Sequence, residues 1–282
     1  MTLPEPSALP ADYDALRGLI LARHEDLPKR LAQVARFAVE NPDEIAFGTA
    51  ASIAAEARVQ PSTLVRLAQS LGYPGFSDMQ AIFRQRLRAR TTSYDERLSL
   101  TRSEASGGGP IARGMLQSAA QSIGQAEREI DAALLDRAAA LVAAAGTVYI
   151  LGQRRSAAPA VYLGYVFGRL KMRSIVVGAG FGTEEDVLAL ASPGDVAISI
   201  SFTPYATSTI DWTRQLAAKG VPIVGISDSL FSPVARLSTV WLEVVEADFE
   251  GFRSLSATMA LAAALAVASA ALRLGPEETR PI

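Results

Sequence analysis

The sequence predicts two folded parts: an all-α helix-turn-helix domain, followed by an α/β domain with a parallel sheet of about five strands flanked by helices. Apolar residues recur at helical spacing from about residue 12 to residue 90, and no convincing strand precedes Thr147. After Thr147, short β-branched apolar runs alternate with helical segments. Strands that are apolar on both faces indicate a parallel sheet covered by helices.

A Gly-rich stretch separates the two patterns. The segment Ser103–Pro110 reads Ser-Glu-Ala-Ser-Gly-Gly-Gly-Pro, a composition typical of a flexible linker. We therefore predict a helix-turn-helix domain at residues 1–100, a linker at 101–110 and an α/β domain with an N-terminal connecting helix at 111–282. The length of 282 residues suits two domains.

The second part is predicted element by element. An amphipathic helix is expected from Ile111 to Ala144. Apolar β-branched runs predict five strands: Thr147–Leu151, Ser174–Val177, Asp195–Ile200, Val221–Ile226 and Thr239–Val245. Helical spacing predicts helices at Ala157–Leu170 and Thr207–Lys219. The uncharged run Ser254–Leu272 is about long enough to cross a bilayer. Its Ala- and Ser-rich composition favours a buried helix or a subunit interface instead.

The composition limits the chemistry. The formal net charge is -2, and the absence of Cys excludes disulfides, thiolate zinc sites and a Cys nucleophile. The N-terminus lacks the features of a signal peptide. These features favour a cytoplasmic protein, and we predict no metal, no cofactor and no membrane association.

The segment Thr49–Gln80 has the pattern of a helix-turn-helix. A short helix carries Ile53 and Ala54, and a tight connection leads to Pro61 at the first turn of a second helix, which Gly72 ends. Such a second helix presents its N-terminal residues to the major groove. We expect DNA contacts from Gln60, Ser62, Thr63, Arg66 and Arg84, the last within an Arg run that can bind phosphates. The alternative is a helical packing module with a solvated basic helix.

Residues from about Leu27 to Arg88 resemble the DNA-binding domain of the RpiR family of regulators. The resemblance is carried by Ala35–Val39 with Asn41-Pro42, by Ser52-Ile53-Ala54 and by Val59–Arg66, and most specifically by Leu71–Ser77. The family usually has Ser where Gln60 stands. The resemblance implies a DNA-binding transcription regulator.

Polar residues follow two of the predicted strands, where parallel sheets bind ligands and where helix N-termini favour anions. The candidate ligand-binding residues are Gly152, Arg154, Arg155, Ser156, Ser201, Thr203, Thr207 and Ser208. The alternative is a set of ordinary N-caps and turns, with the Arg residues paired to surface acids.

Residues 144–274 resemble a sugar isomerase (SIS) domain, through the strand-Gly-x-x-x-Ser start and through Ile226–Ser229 with Ser232-Pro233. The resemblance implies a sugar phosphate as ligand, and the departures of this chain extend the expectation to another small anion. The chain departs from the family's loops: Arg154 replaces a Gly, Thr203 a Ser, Pro204 a Gly and Ala206 a Thr. Pro204 also removes a backbone N–H that would have faced the phosphate.

We expect a regulator and not an enzyme, because the sequence offers no organised acid–base pair. Glu246 and Glu250 lie near the ligand end of the sheet, whereas His24, the one His, lies in the first part. The expected partners are double-stranded DNA with a palindromic operator, a small anionic effector and further copies of the chain, as a homo-dimer or tetramer. The competing hypotheses are a sugar-phosphate isomerase with an accessory helical domain and a protein-interaction module.

Overall fold

The structure is a computed structural model that describes residues 9–10, 12–91, 107–178 and 182–274. The chain divides into two compact units, Met1–Glu104 and Ala105–Ile282. Of the predicted linker, residues 101–106 lie outside the described residues, and residues 108–110 lie within a helix. The predicted boundaries at residues 100 and 110 stay a prediction.

The N-terminal unit is helical in its described part. It consists of α1 (Tyr13–Arg23), α2 (Lys29–Glu40), α3 (Pro42–Phe47), α4 (Ala50–Glu56), α5 (Pro61–Ser70) and α6 (Phe76–Thr91), with a 3-10 turn at His24–Asp26. The predicted apolar positions form its core. Fully buried side chains include Leu16, Ile20, Val34, Leu64 and Phe83.

The C-terminal unit alternates helices and strands. Its helices are α7 (Gly108–Glu129), α8 (Ala132–Ala144), α9 (Ala157–Arg169), α10 (Glu184–Ala189), α11 (Thr207–Ala218), α12 (Pro233–Leu237) and α13 (Ser256–Leu274). Its strands are β1 (Val148–Gly152), β2 (Ser174–Val177), β3 (Val196–Ile200), β4 (Ile223–Ser227), β5 (Val240–Glu243), β6 (Asp248–Phe249) and β7 (Phe252–Arg253).

Five parallel strands form one sheet in the order β2-β1-β3-β4-β5, which confirms the predicted fold class. Both faces are covered. Val148 and Ile150 of β1 pack in the core formed with α8, α9 and α13, whereas Tyr149 and Leu151 belong to the core on the opposite face, with α10 and α11. The strand order reverses between β1 and β3, and the loops after these two strands therefore form the crevice where such sheets bind ligands.

Four elements differ from the prediction. The helix expected at Ile111–Ala144 is two helices, because Asp131 caps a new one by accepting hydrogen bonds from the N–H groups of Ala133 and Leu134. The short helices α10 and α12 and the hairpin β6–β7 were not predicted. By length and composition α13 is able to cross a membrane. Its buried residues, such as Leu265 and Ala266, lie in the core of the C-terminal unit.

Candidate DNA-binding and effector sites

The turn between α4 and α5 is tightly determined by local hydrogen bonds. Thr49 and Ser52 form a capping box at the start of α4. After α4, Arg58 adopts a left-handed backbone with φ 55°, and the N–H of Val59 donates to the carbonyl of Ala54 at 2.9 Å. The turn thereby directs the chain into α5 within four residues.

The ends of α5 follow the predicted signals. Pro61 occupies the first turn, and Gln60 is the N-cap without a side-chain hydrogen bond to the helix. At the other end, Gly72 has φ 98°, and the N–H of Tyr73 donates to the carbonyl of Ala68, a Schellman-type ending. Burial, and then the charge of Asp12, raises the pKa of Tyr73. The Tyr73 hydroxyl donates to the carbonyl of Pro10.

One face of α5 is open to solvent. Ser62, Val65, Arg66 and Gln69 are exposed, whereas Leu64, Leu67 and Ala68 are buried. Gln60 is exposed and Thr63 is half-buried. Four of the predicted DNA contacts, Gln60, Ser62, Thr63 and Arg66, therefore lie together in or beside the first turns of α5. Sequence reasoning omitted Val65 and Gln69, although the spacing i, i+3, i+4, i+7 from Ser62 places them on the same face.

Arg84 lies on α6 and contacts the protein itself. Its Nε donates to the carbonyl of Ala46 at 3.1 Å, and its Nη2 donates to Oε1 of Gln80 at 2.8 Å. Arg86 is buried, forms an ion pair with Asp43 at 2.9 Å and lies 4.4 Å from the ring centre of Tyr13. The side chains of Arg88 and Arg90 lie outside the described ones. Two members of the Arg run thus bind within the domain, and the role of Arg84 in DNA binding stays a prediction.

The loop after β1 is close-packed. Gly152 is buried, and a Cβ there would lie 2.5 Å from the carbonyl oxygen of Ser156, so a side chain does not fit. Arg154 is exposed and left-handed, with φ 55°, at the position where the resembling family has Gly. Ser156 is buried and precedes α9 without capping it.

The loop after β3 meets the loop after β4 at Asp228. The N–H of Thr203 donates to Oδ2 of Asp228 at 3.2 Å, and the hydroxyl of Tyr205 donates to Oδ1 at 3.0 Å. Two guanidinium groups approach the carbonyl oxygen of Thr203. Arg155 donates to the Thr203 oxygen at 3.4 Å and Arg253 at 3.0 Å. The guanidinium of Arg155 also lies 5.2 Å from the ring centre of Phe202.

The structure brings together Gly152, Arg154, Arg155 and Ser156 in one loop, and Arg155 contacts Thr203 in the other. Ser201 is buried directly after β3, and Thr207 and Ser208 are exposed in the first turn of α11. Asp228, Tyr205 and Arg253 were not predicted. Asp228 lies within Ile226–Ser229, one of the segments that resemble a SIS domain, whereas no sequence signal points to Arg253.

Glu246 and Glu250 are the two acidic residues that the sequence places near the ligand end of the sheet. Oε1 of Glu246 accepts hydrogen bonds from the N–H and the hydroxyl of Thr258, and it therefore caps α13. Glu250 is exposed in the turn of the β6–β7 hairpin. His24 lies in the N-terminal unit, in the 3-10 turn after α1.

Comparison with known proteins identifies both units. Residues 16–90 match the model of the helix-turn-helix domain of the rpiR family, and residues 141–268 match the SIS domain. The HTH-type transcriptional regulator HexR of Pseudomonas aeruginosa is 25% identical over 227 residues, covering 80% of this chain and 77% of that protein.

Two solved structures share the fold. The sugar isomerase domain of an RpiR transcription factor from Sphaerobacter thermophilus has a TM-score of 0.54 and 25% identity, covering 57% of this chain and 89% of that one. The Vibrio vulnificus NanR protein, complexed with ManNAc-6P, has a TM-score of 0.53 and 22% identity, covering 92% and 91%.

Proposed function

The chain is an RpiR-family transcriptional regulator, with an rpiR-type helix-turn-helix followed by a SIS domain, and from this premise we propose that it binds one operator sequence under the control of a small anionic metabolite. The observation that carries the DNA part is the open face of α5. Ser62, Arg66 and Gln69 offer hydrogen-bonding groups for base edges, and Val65 offers an apolar contact for a thymine methyl.

Gln60, Ser62, Thr63 and Arg66 are the proposed DNA-contacting residues at the start of α5, with Arg84 as a phosphate contact from α6. The uncapped N-terminus of α5 supports this arrangement, because its backbone N–H groups suit a DNA phosphate. Two copies of α5 in a dimer or tetramer would read two half-sites, so the operator is a palindrome. Such a regulator acts in the cytoplasm.

The effector site is proposed at the ends of β1 and β3. Gly152, Arg154, Arg155, Ser156, Ser201, Thr203, Thr207 and Ser208 are its candidate residues. The strand-order reversal and the two Arg side chains beside Thr203 support an anionic ligand, such as a sugar phosphate or a related compound. ManNAc-6P in the NanR structure is a ligand of this class. The ligand controls DNA binding if its affinity differs between the DNA-bound and free arrangements.

The site regulates and does not catalyse in this proposal. Glu246, which follows β5, uses Oε1 to cap α13, and we therefore do not assign it as a general base.

The test is to retain genomic DNA fragments on the full-length protein at about physiological salt and to sequence them. We expect one two-fold symmetric sequence to be enriched, and a panel of sugar phosphates to change its retention. Without any enrichment, with or without the panel, the regulator proposal is wrong. Turnover of a sugar phosphate by the same protein would establish the isomerase hypothesis instead.

A further inference from the structure

We propose that the anionic group of the effector binds to the guanidinium groups of Arg155 and Arg253, and that the carboxylate of Asp228 occupies the backbone amide that a phosphate-binding loop would offer after β3. This inference rests on the proposed effector binding by the C-terminal unit. It adds Arg253 and Asp228 to the site and assigns opposite effects to their charges.

The amide side of the loop already holds a negative charge. Asp228 accepts hydrogen bonds from the N–H of Thr203 at 3.2 Å and from the hydroxyl of Tyr205 at 3.0 Å. The next residue, Pro204, has no N–H to donate. An anion that used the N–H of Thr203 would have to displace Asp228 or lie in contact with its carboxylate. Two negative charges in contact repel each other.

The guanidinium side of the loop has the opposite charge. Arg155 and Arg253 come from different loops, yet both donate to the single carbonyl oxygen of Thr203. The structure records one polar contact for Arg253 in the described part of the chain, namely this one. Two positive charges thus meet at one carbonyl oxygen, and an anion bound beside that oxygen would be attracted by both.

The chemistry that fits is a small oxyanion. A guanidinium binds phosphate or carboxylate through two parallel N–H groups, and it remains charged at every physiological pH. The shared chemistry is therefore a phosphate ester or a carboxylate of a small metabolite. Arg154, which is exposed in the same loop as Arg155, adds a third positive charge.

The test uses calorimetric titration of the full-length protein with two sets of probes, hexose 6-phosphates and the corresponding hexonic acids. The variants are Arg253→Gln, Arg253→Lys and Asp228→Asn. Arg214→Gln is the control, because it removes an exposed positive charge of α11 that is paired with Asp211. The thermal unfolding midpoint of each ligand-free variant is measured alongside.

We expect one probe set to bind the wild type and Arg253→Gln to weaken it at least tenfold, the effect of losing one charge-assisted hydrogen bond. The unfolding midpoint should change little, since the substitution removes a single hydrogen bond to a loop carbonyl. Arg253→Lys should bind with intermediate affinity, and should decide the matter if Arg253→Gln does not fold. Asp228→Asn should bind several-fold more tightly, and Arg214→Gln should bind as the wild type does.

Equal binding by the wild type and by both Arg253 variants would overturn this inference while leaving effector sensing intact. A decrease in affinity for Asp228→Asn, with its unfolding midpoint unchanged, would also overturn it, because Asp228 would then contact the ligand. If the wild type binds neither probe set, the proposed effector class is itself wrong.

Discussion

Gln80 of α6 binds the C-terminal end of α3 through hydrogen bonds. Replacing Gln80 should destabilise the N-terminal unit and leave the C-terminal unit unchanged. Its Nε2 donates to the carbonyls of Ile45 and Gly48 at 2.9 and 2.8 Å, and its Oε1 accepts from Arg84. These carbonyls lie at the end of α3, where the helix itself provides no donors. The side chain is 5% exposed. Gln80→Ala therefore leaves two carbonyls without this partner.

The expected cost follows from the bonds lost. Each hydrogen bond contributes about 0.5–1.5 kcal/mol, and a buried unsatisfied carbonyl costs more. Gln80→Ala should thus lower the free energy of unfolding of the N-terminal unit by about 2–3 kcal/mol. With a urea dependence of about 1–2 kcal/mol/M, the midpoint should fall by more than about 1 M. Gln85→Ala, an exposed position on the same helix, should change stability by less than about 0.5 kcal/mol.

Two spectroscopic probes separate the units. Trp212 and Trp241 are the two tryptophans of the chain and both lie in the C-terminal unit, so their fluorescence follows that unit alone. Circular dichroism follows the helices of both units. Gln80→Ala should shift the dichroism transition and leave the fluorescence transition in place. If Gln80→Ala and Gln85→Ala have the same dichroism midpoint, or if the fluorescence transition moves by the same amount as the dichroism transition, Gln80 does not stabilise the N-terminal unit in this way.

Three further substitutions test the DNA interface, the turn before α5 and the contribution of Asp195 to stability. Arg66→Ala should weaken operator binding about tenfold or more in an anisotropy titration, because an Arg contact to guanine contributes about 1–3 kcal/mol; unchanged affinity would remove Arg66 from the interface. Arg58→Gly should raise the free energy of unfolding of the N-terminal unit by about 0.5 kcal/mol, because a backbone φ of 55° is unfavourable for a residue with a side chain. The larger unfolded-state entropy of glycine offsets only part of this gain. A lower midpoint in urea unfolding would contradict this. Burial alone would raise the pKa of Asp195, but hydrogen bonds from the N–H and hydroxyl of Ser192 and from Thr147 lower it below its ordinary value of 3.8. A carboxyl group whose pKa is lowered by folding stabilises the protein at pH values above its ordinary pKa, and this stability is lost as the pH falls through the folded-state pKa. Asp195→Asn should therefore make the free energy of unfolding less dependent on pH in the acid range. The same acid dependence in both proteins would contradict this.

The sheet could be predicted from the sequence because buried parallel strands are continuous apolar runs. The strand predicted at Ser174–Val177 has those bounds in the structure. The break before Asp131 was missed because helical periodicity continues across it, although Asp131 is itself an N-cap signal. Ser232 caps α12 and Pro233 begins it, and both are start signals, but a helix of five residues is too short to show periodicity.

The site residues that are adjacent in the sequence could be predicted, whereas those that only the fold brings together could not. Residues adjacent in sequence, such as Gly152–Ser156 or Gln60–Arg66, follow from local motifs. The contacts of Thr203 with Asp228 and Arg253 join residues 25 and 50 positions apart, and only the packing of strands and loops brings them together. For the same reason, the contacts of Arg84 and Arg86 within the domain could not be separated from phosphate binding by composition.

The most direct test of the central claim is the affinity of the full-length protein for its selected operator and for a scrambled duplex of the same length and composition, measured by anisotropy at several salt concentrations. We expect the operator to bind at least about 10³-fold more tightly at physiological salt, and both affinities to fall steeply as salt increases. Equal affinity for the two duplexes at every salt concentration would contradict sequence-specific binding by this chain.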